Sequence, residues 1–259
     1  MKSLLLAEPK EFASVRFILT DMDETLTYRG RLHAATYSAL ERLQDAGLTV
    51  IPVTAAPAGW CDQMARMWPV NGVIGESGGL FFQADQNGHE LKRAFWRPDE
   101  EVVELEARLK EIARGVSSVE PRARLAQDHS IRLTSVAFVN PEDATLRAAI
   151  LLALKGLGAD TTVNNLWVLG WLGGYDKLTM ARRVLTEIYD LDVNANLDAV
   201  LYAGDSTNDA PMFGFFRHTV GVSTVRDYLP EIPVPFHMDH GGTGGRRFRK
   251  NGGGNSSGP

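Results

Sequence analysis

Short, almost continuously apolar runs that end abruptly in polar clusters constrain this chain more than any other feature. Val15–Thr20 (VRFILT) stops at the acidic group Asp21, Asp23 and Glu24. Leu48–Thr54 (LTVIPVT) and Ala199–Gly204 (AVLYAG) behave alike, the latter running into Asp205, Asn208 and Asp209. A run without alternation of apolar and polar residues suits a strand covered on both faces, the usual setting of a parallel sheet. Between the first two runs, His33–Gly47 (HAATYSALERLQDAG) places Ala35, Leu40 and Leu43 at helical spacing and closes on Gly47, suited to a helix C-terminus. A Met- and Trp-rich helix and a third short run, Gly72–Glu76 (GVIGE), follow. Strand, helix, strand, helix, strand predicts an α/β fold: a Rossmann-like parallel sheet with helices on both faces and right-handed crossovers.

The pattern changes from about Phe82 to Leu169. Pro98–Gly115 predicts an amphipathic helix, Ile131–Val139 (IRLTSVAFV) a long strand, Pro141–Gly158 a second helix and Thr162–Leu172 (TVNNLWVLGWL) another strand. These longer, more alternating strands predict an antiparallel sheet with one face under helices. After Gly173 and Gly174 the α/β pattern resumes with a helix over Asp176–Tyr189, the AVLYAG strand, a strand at His218–Val222 and a final edge strand in Pro233–Asp239. The expected organisation is a core in two parts, residues 1–83 and 170–240, interrupted by an α+β domain at 84–169. A Gly-rich basic tail, 241–259, is expected to be largely disordered.

Composition removes several classes of function. The chain has 259 residues, 44% hydrophobic, with net charge −5. A length of this order buries about three quarters of the surface the unfolded chain exposes, so neither disulfides nor a structural metal is needed. The single Cys61 excludes a disulfide framework and any multi-cysteine zinc site, and predicts a reducing, cytoplasmic setting. No apolar run reaches the ~18 residues of a membrane span, and the apolar part of MKSLLLAEPKEF is too short for a signal peptide. The acidic balance argues against nucleic acid as a partner, because phosphates demand an excess of Lys and Arg. Oligomeric state is not readable from the sequence.

Ligands of open α/β sheets bind beyond the carboxyl ends of the strands. Four polar groups fall there: Asp21 with Asp23, Thr54, Lys177 at a helix start, and Asp205 with Asn208 and Asp209. In this order, DMDETLT, VTAAP, YDKLTMARRVL and GDSTND resemble the four motifs of the haloacid dehalogenase superfamily. The insert between the second and third motifs resembles that of its type IIB, Cof-like phosphatases, whose α+β cap is of type C2. The VIGESGG segment is similar to that of the sugar-phosphate phosphatases acting on mannosyl-3-phosphoglycerate, sucrose phosphate and trehalose phosphate.

The resemblance implies a Mg2+-dependent phosphatase for a small phosphorylated metabolite, most simply a sugar phosphate, working through an aspartyl-phosphate. Phosphate monoesters hydrolyse extremely slowly unaided, so a site needs a nucleophile, an acid for the leaving oxygen and positive charge over the phosphoryl oxygens. Asp21 is the expected nucleophile and Asp23 the expected general acid, later general base. Asp21, the Asp23 carbonyl, Asp205 and Asp209 would offer hard oxygen ligands to Mg2+, with Asn208 supporting them. The Thr54 hydroxyl and Ala55 N–H would hold a phosphoryl oxygen, and Lys177 would face both nucleophile and phosphate. Thr25 would shape the loop after Asp23. Arg132, His129, Asn164, Asn165 and Trp167 are the candidate substrate contacts of the insert, with a core role the plainer reading for Trp167 and a surface sheet position for Arg132.

The chain departs from that pattern at three places. Glu24 replaces the usual Gly after the second Asp, Thr54-Ala55-Ala56 stands where Thr-Gly-Arg is usual, and Glu76-Ser77-Gly78 replaces Glu-Asn-Gly. The hydrolytic residues are all present while the outer shell is altered. This leaves a phosphomannomutase-like mutase and a catalytically inactive sugar-phosphate-binding protein as alternatives. A receiver domain is about half this length and carries no insert.

Overall fold

The computed structural model describes residues 2–85, 87–164, 166–222, 225–226, 232 and 237–240. The chain divides into two compact units, one of residues 1–53, 68–71 and 191–259, the other of residues 54–67 and 72–190. The units meet at 53/54, 67/68, 71/72 and 190/191, whereas the sequence reading placed its divisions at 83/84 and 169/170.

The first unit is built on a six-stranded sheet in the order Lys2–Ser3, Met238–His240, His218–Val222, Val200–Gly204, Phe17–Thr20, Thr49–Pro52. Every neighbouring pair is parallel. The apolar runs form the central strands, where Leu19, Val50, Ile51, Val200 and Tyr202 are fully buried. The helix expected after the first strand spans Ala34–Asp45, and Gly47 follows it with φ +78°. A short helix, Ala210–Phe215, follows the second acidic cluster and buries Met212 and Phe213.

Three details of this sheet differ from the sequence reading. Met238–His240 pairs on both sides, so it is an interior strand, and the edge is Lys2–Ser3. Residues 233–236 of that expected strand, and the tail from 241, lie outside the described residues. The GVIGE run does not join the parallel sheet. Asn71 takes its place beside Val50, its Oδ1 accepting the Val50 N–H at 2.9 Å and its N–H donating to the Val50 carbonyl at 2.8 Å. Val73–Gly75 instead pairs antiparallel with Leu80–Phe82.

The second unit contains that three-stranded antiparallel sheet, Val73–Gly75, Leu80–Ala84 and Leu91–Phe95, with helices Ala58–Met67 and Lys177–Glu187. It also contains a second antiparallel sheet in the order Asp160–Val163, Trp167–Trp171, Ser135–Val139, with helices Val102–Val119 and Ala144–Gly156. Strand alternation sends Val136, Phe138 and Val168 into a core with Leu105, Leu109 and Ile112, and Ala137, Leu169 and Trp171 into another with Ala55, Ala126 and Tyr175. The helices cover one face of this sheet, as expected, and Ala55, Ala126 and Tyr175 pack on the other.

Two strands predicted here are shorter or divided. Thr162–Leu172 is part of a hairpin, because Asn164 Oδ1 accepts the N–H groups of Leu166 and Trp167 and turns the chain. The long strand expected from Ile131 begins only at Ser135. Upstream of it, Leu133 and Thr134 spend their N–H groups on the Glu76 carboxylate, and His129–Ile131 forms a single helical turn. Among the described residues no helix is long and apolar enough to cross a membrane.

Candidate functional site

In the first unit, Asp21 follows the Phe17–Thr20 strand and Asp205 follows Val200–Gly204, and these strands are parallel neighbours with Thr20 opposite Ala203. Register alone therefore brings their carboxyl ends together, and the Asp21 N–H donates to the Ala203 carbonyl at 2.8 Å. Asp21, Asp205 and Asp209 are all buried and each offers an oxygen within 4.8 Å of the others. Three carboxylates confined in this way repel one another and lose hydration, a cost that a bound cation relieves.

The loop carrying Asp205 is organised by Asp209, which is fully buried. Its Oδ2 accepts the N–H groups of Asp205 at 2.9 Å and Ser206 at 3.0 Å, while Oδ1 accepts the Tyr202 hydroxyl. A Cβ at position 204 would lie 2.6 Å from Asp209 Oδ2, so only glycine lets the strand approach this carboxylate. Burial, followed by the charges of Asp209, Asp21 and Asp205, holds the Tyr202 phenol well above its ordinary pKa, fixing it as a donor. Asp209 thus ties the loop, through Oδ2, to the strand that precedes it, through Oδ1. Asn208 accepts the Ser206 hydroxyl at 2.7 Å, and Asp23 is half-buried in the turn after Asp21. Thr25 is buried in the turn after Asp23, and its Oγ1 has no hydrogen-bond partner among the described residues.

The second unit carries Thr54, Ala55 and Lys177. Thr54 is fully buried, and its Oγ1 accepts the Ala56 N–H at 3.0 Å. The carbonyls of this segment are all tied back: Thr54 to the Ser77 N–H, Ala55 to the Arg132 guanidinium, and Ala56 to the Glu76 N–H. The Thr54 hydroxyl proton and the Ala55 N–H have no acceptor among the described residues. Lys177 is 2% exposed and opens the Lys177–Glu187 helix, which is capped by Asp176 through the Thr179 N–H at 2.7 Å. An ammonium buried so deeply requires a compensating anion.

Glu76, fully buried, is the centre of this unit's polar network, and the sequence reading gave it no role. Its carboxylate accepts the N–H groups of Ala58, Leu133 and Thr134 and the hydroxyls of Thr134 and Ser135. Glu76 and Ser77 both have positive φ, 48° and 60°, and the buried Ser77 Oγ has no partner. The signal was an acid within the apolar context VIGESGG, since buried charge is retained only where it is fully hydrogen-bonded. Tyr202 had a parallel signal, a phenol inside an otherwise aliphatic strand.

Of the expected substrate contacts, Arg132 is fully buried rather than on a sheet surface. Its guanidinium binds both Asp128 oxygens, the Ala55 carbonyl and the Ser135 hydroxyl. Its paired donors are thus turned onto the protein. Trp167 packs partly buried against the Ala137–Trp171 core. Asn164 is occupied in its turn, and Asn165 lies outside the described residues. His129 is half-buried, held below its ordinary pKa by burial first and then by Arg132.

The arrangement defines an α/β core with acidic residues gathered at the carboxyl ends of adjacent parallel strands. Solved structures with this fold include Thermoplasma acidophilum protein 0175, 22% identical with a TM-score of 0.67, covering 90% of this chain and 95% of that one. A trehalose-6-phosphate phosphatase related protein is 17% identical with a TM-score of 0.58, covering 87% and 91%. BT1666 from Bacteroides thetaiotaomicron, described among phosphatases of the haloalkanoate (HAD) enzyme superfamily, is 16% identical with a TM-score of 0.59, covering 93% and 94%. The chain has the fold of haloacid dehalogenase-like hydrolases. No protein-family model matches the sequence, and no curated protein matches it.

Proposed function

We propose that this protein is a Mg2+-dependent phosphatase of small phosphorylated metabolites, sugar phosphates being the favoured class, acting in the cytoplasm. The observation that carries the reading is the buried convergence of Asp21, Asp205 and Asp209. The donor set, oxygen only and anionic, fits a hard divalent cation. Asp21 and Asp205 would hold it, with the Asp23 carbonyl beside them and Asp209 and Asn208 keeping the loop in place. When bound, the ion neutralises the approach of an anionic phosphate to an acidic pocket.

The remaining chemistry belongs to the chain. Asp21 attacks phosphorus, forming its own acyl phosphate as the ester oxygen departs, and Asp23 donates the proton that oxygen needs. Asp23 then takes a proton from the water that attacks phosphorus and releases inorganic phosphate and the Asp21 carboxylate. The Thr54 hydroxyl proton and Ala55 N–H, both without acceptors among the described residues, serve as phosphoryl donors, and Lys177 supplies positive charge. The cap role of the α+β part rests on the order of the motifs in the sequence. The neighbours' names and the shared fold support a phosphatase.

Release of phosphate from p-nitrophenyl phosphate, measured with Mg2+ and with EDTA, tests the reading. Turnover that survives EDTA, or that persists in Asp21→Asn, overturns it.

A further inference from the structure

We propose that Arg132 is a positioning residue for Thr54, acting through a single peptide plane. The inference rests on the phosphatase reading, in which Thr54 touches the phosphoryl group. The Ala55–Ala56 peptide is held at both ends: its carbonyl accepts Arg132 Nη1 at 3.0 Å, and its N–H donates to Thr54 Oγ1 at 3.0 Å. Rotating that plane away from Arg132 also moves the N–H away from the threonine. The bond from Ala56 occupies a lone pair of the hydroxyl and leaves its proton as the donor. Without it, the hydroxyl is free to turn and accept from elsewhere.

The guanidinium is itself held. It is 0% exposed, and Asp128 takes Nε at 3.3 Å and Nη2 at 3.1 Å. Nη1 divides between the Ala55 carbonyl and the Ser135 hydroxyl at 3.2 Å, and that hydroxyl donates onward to Glu76 at 2.7 Å. A planar fork with fixed donor directions satisfies a carboxylate and a carbonyl together, which a lysine ammonium on a flexible stem does not. Asp128, which is part-buried, and the buried Arg132, Ser135 and Glu76 thus form one chain of bonds that includes the peptide orienting Thr54.

The test is a double-mutant cycle on the full-length protein with Mg2+ present, using Arg132→Lys, Thr54→Val and the double variant. Each is assayed for kcat and KM with p-nitrophenyl phosphate, for inhibition by inorganic phosphate, and for thermal midpoint. Arg132→Lys is expected to lower kcat/KM and weaken phosphate inhibition by about ten-fold or more, the scale of a displaced contact. In the Thr54→Val background the same change should cost almost nothing, because the hydroxyl it positions is gone. If Arg132→Lys does not fold, Asp128→Asn is carried through the same cycle. A loss that multiplies unchanged onto Thr54→Val overturns the inference, as does an Arg132→Lys protein of lowered midpoint with wild-type kinetics. Wild-type protein that neither releases phosphate nor binds it overturns the phosphatase reading itself, and the inference falls with it. An active wild type with an additive cycle overturns the inference alone.

Discussion

Tyr202 donates its hydroxyl to Asp209 from within the strand that leads to Asp205, so the carboxylate shaping the acidic loop is itself anchored in the sheet. Changing Tyr202 to Phe leaves Asp209 Oδ1 without this donor in a fully buried setting. The expected cost is about 1–3 kcal/mol of stability, the penalty of a buried acceptor losing its partner. Urea unfolding checks it, and an unchanged midpoint would show that the bond carries no weight. Gly204→Ala should disturb the same carboxylate from the other side, since the added Cβ meets it at 2.6 Å.

Crowding of Asp21, Asp205 and Asp209 makes an unusual prediction for Asp21→Asn. Removing one charge relieves repulsion in the metal-free protein, so its thermal midpoint in EDTA should rise above wild type. The gain in midpoint on adding Mg2+ should shrink, because a ligand and part of the attracting charge are lost. Melting curves of both proteins in EDTA and in Mg2+ decide this, and a metal shift as large as wild type would remove Asp21 from the ligand set.

The Glu76 carboxylate accepts five hydrogen bonds and donates none, so glutamine is a poor replacement despite its shape. Its amide group would face donors with another donor. Loss of the paired network is expected to cost about 3–5 kcal/mol, as when one partner of a buried charged network is removed. Chemical denaturation of Glu76→Gln measures this directly.

His129 and His218 both lie below their ordinary value of 6.5, burial being the first cause in each and the neighbouring Arg132 and Arg217 the second. The unfolded chain therefore takes up these protons earlier as pH falls. Stability contributed by the neutral folded histidines is full above about pH 6.5 and declines as pH drops from there toward the lower folded values. Replacing His129 with Gln should flatten that part of the stability curve, measured by denaturant midpoints from pH 7.5 to 5. An unaltered slope would assign the dependence to other groups.

Much of the core was legible in the sequence because its signals are local. Continuous apolarity marked the strands Phe17–Thr20, Thr49–Pro52 and Val200–Gly204, and Asp21 and Asp205 were readable as residues at their ends. The Gly72–Glu76 run carried the same local signal yet belongs to another sheet. Its partner was chosen by Asn71, which pairs with Val50, and by the positive φ angles at Glu76 and Ser77 that turn the chain back. Pairing partners and register depend on residues far apart in the chain, and no window of sequence contains them.

The same limit explains Arg132. By itself the sequence determined which residue types could perform phosphoryl chemistry and placed them at strand and helix ends, since hydrophobic period and chain punctuation are properties of neighbours. Only the tertiary structure decided how their polar atoms are used: Arg132 turned inward onto the Ala55 carbonyl, Asp209 committed to its own loop, and Glu76 at the centre of a buried network. A buried polar atom must find a partner, and which partner is within reach is settled only when distant segments pack together.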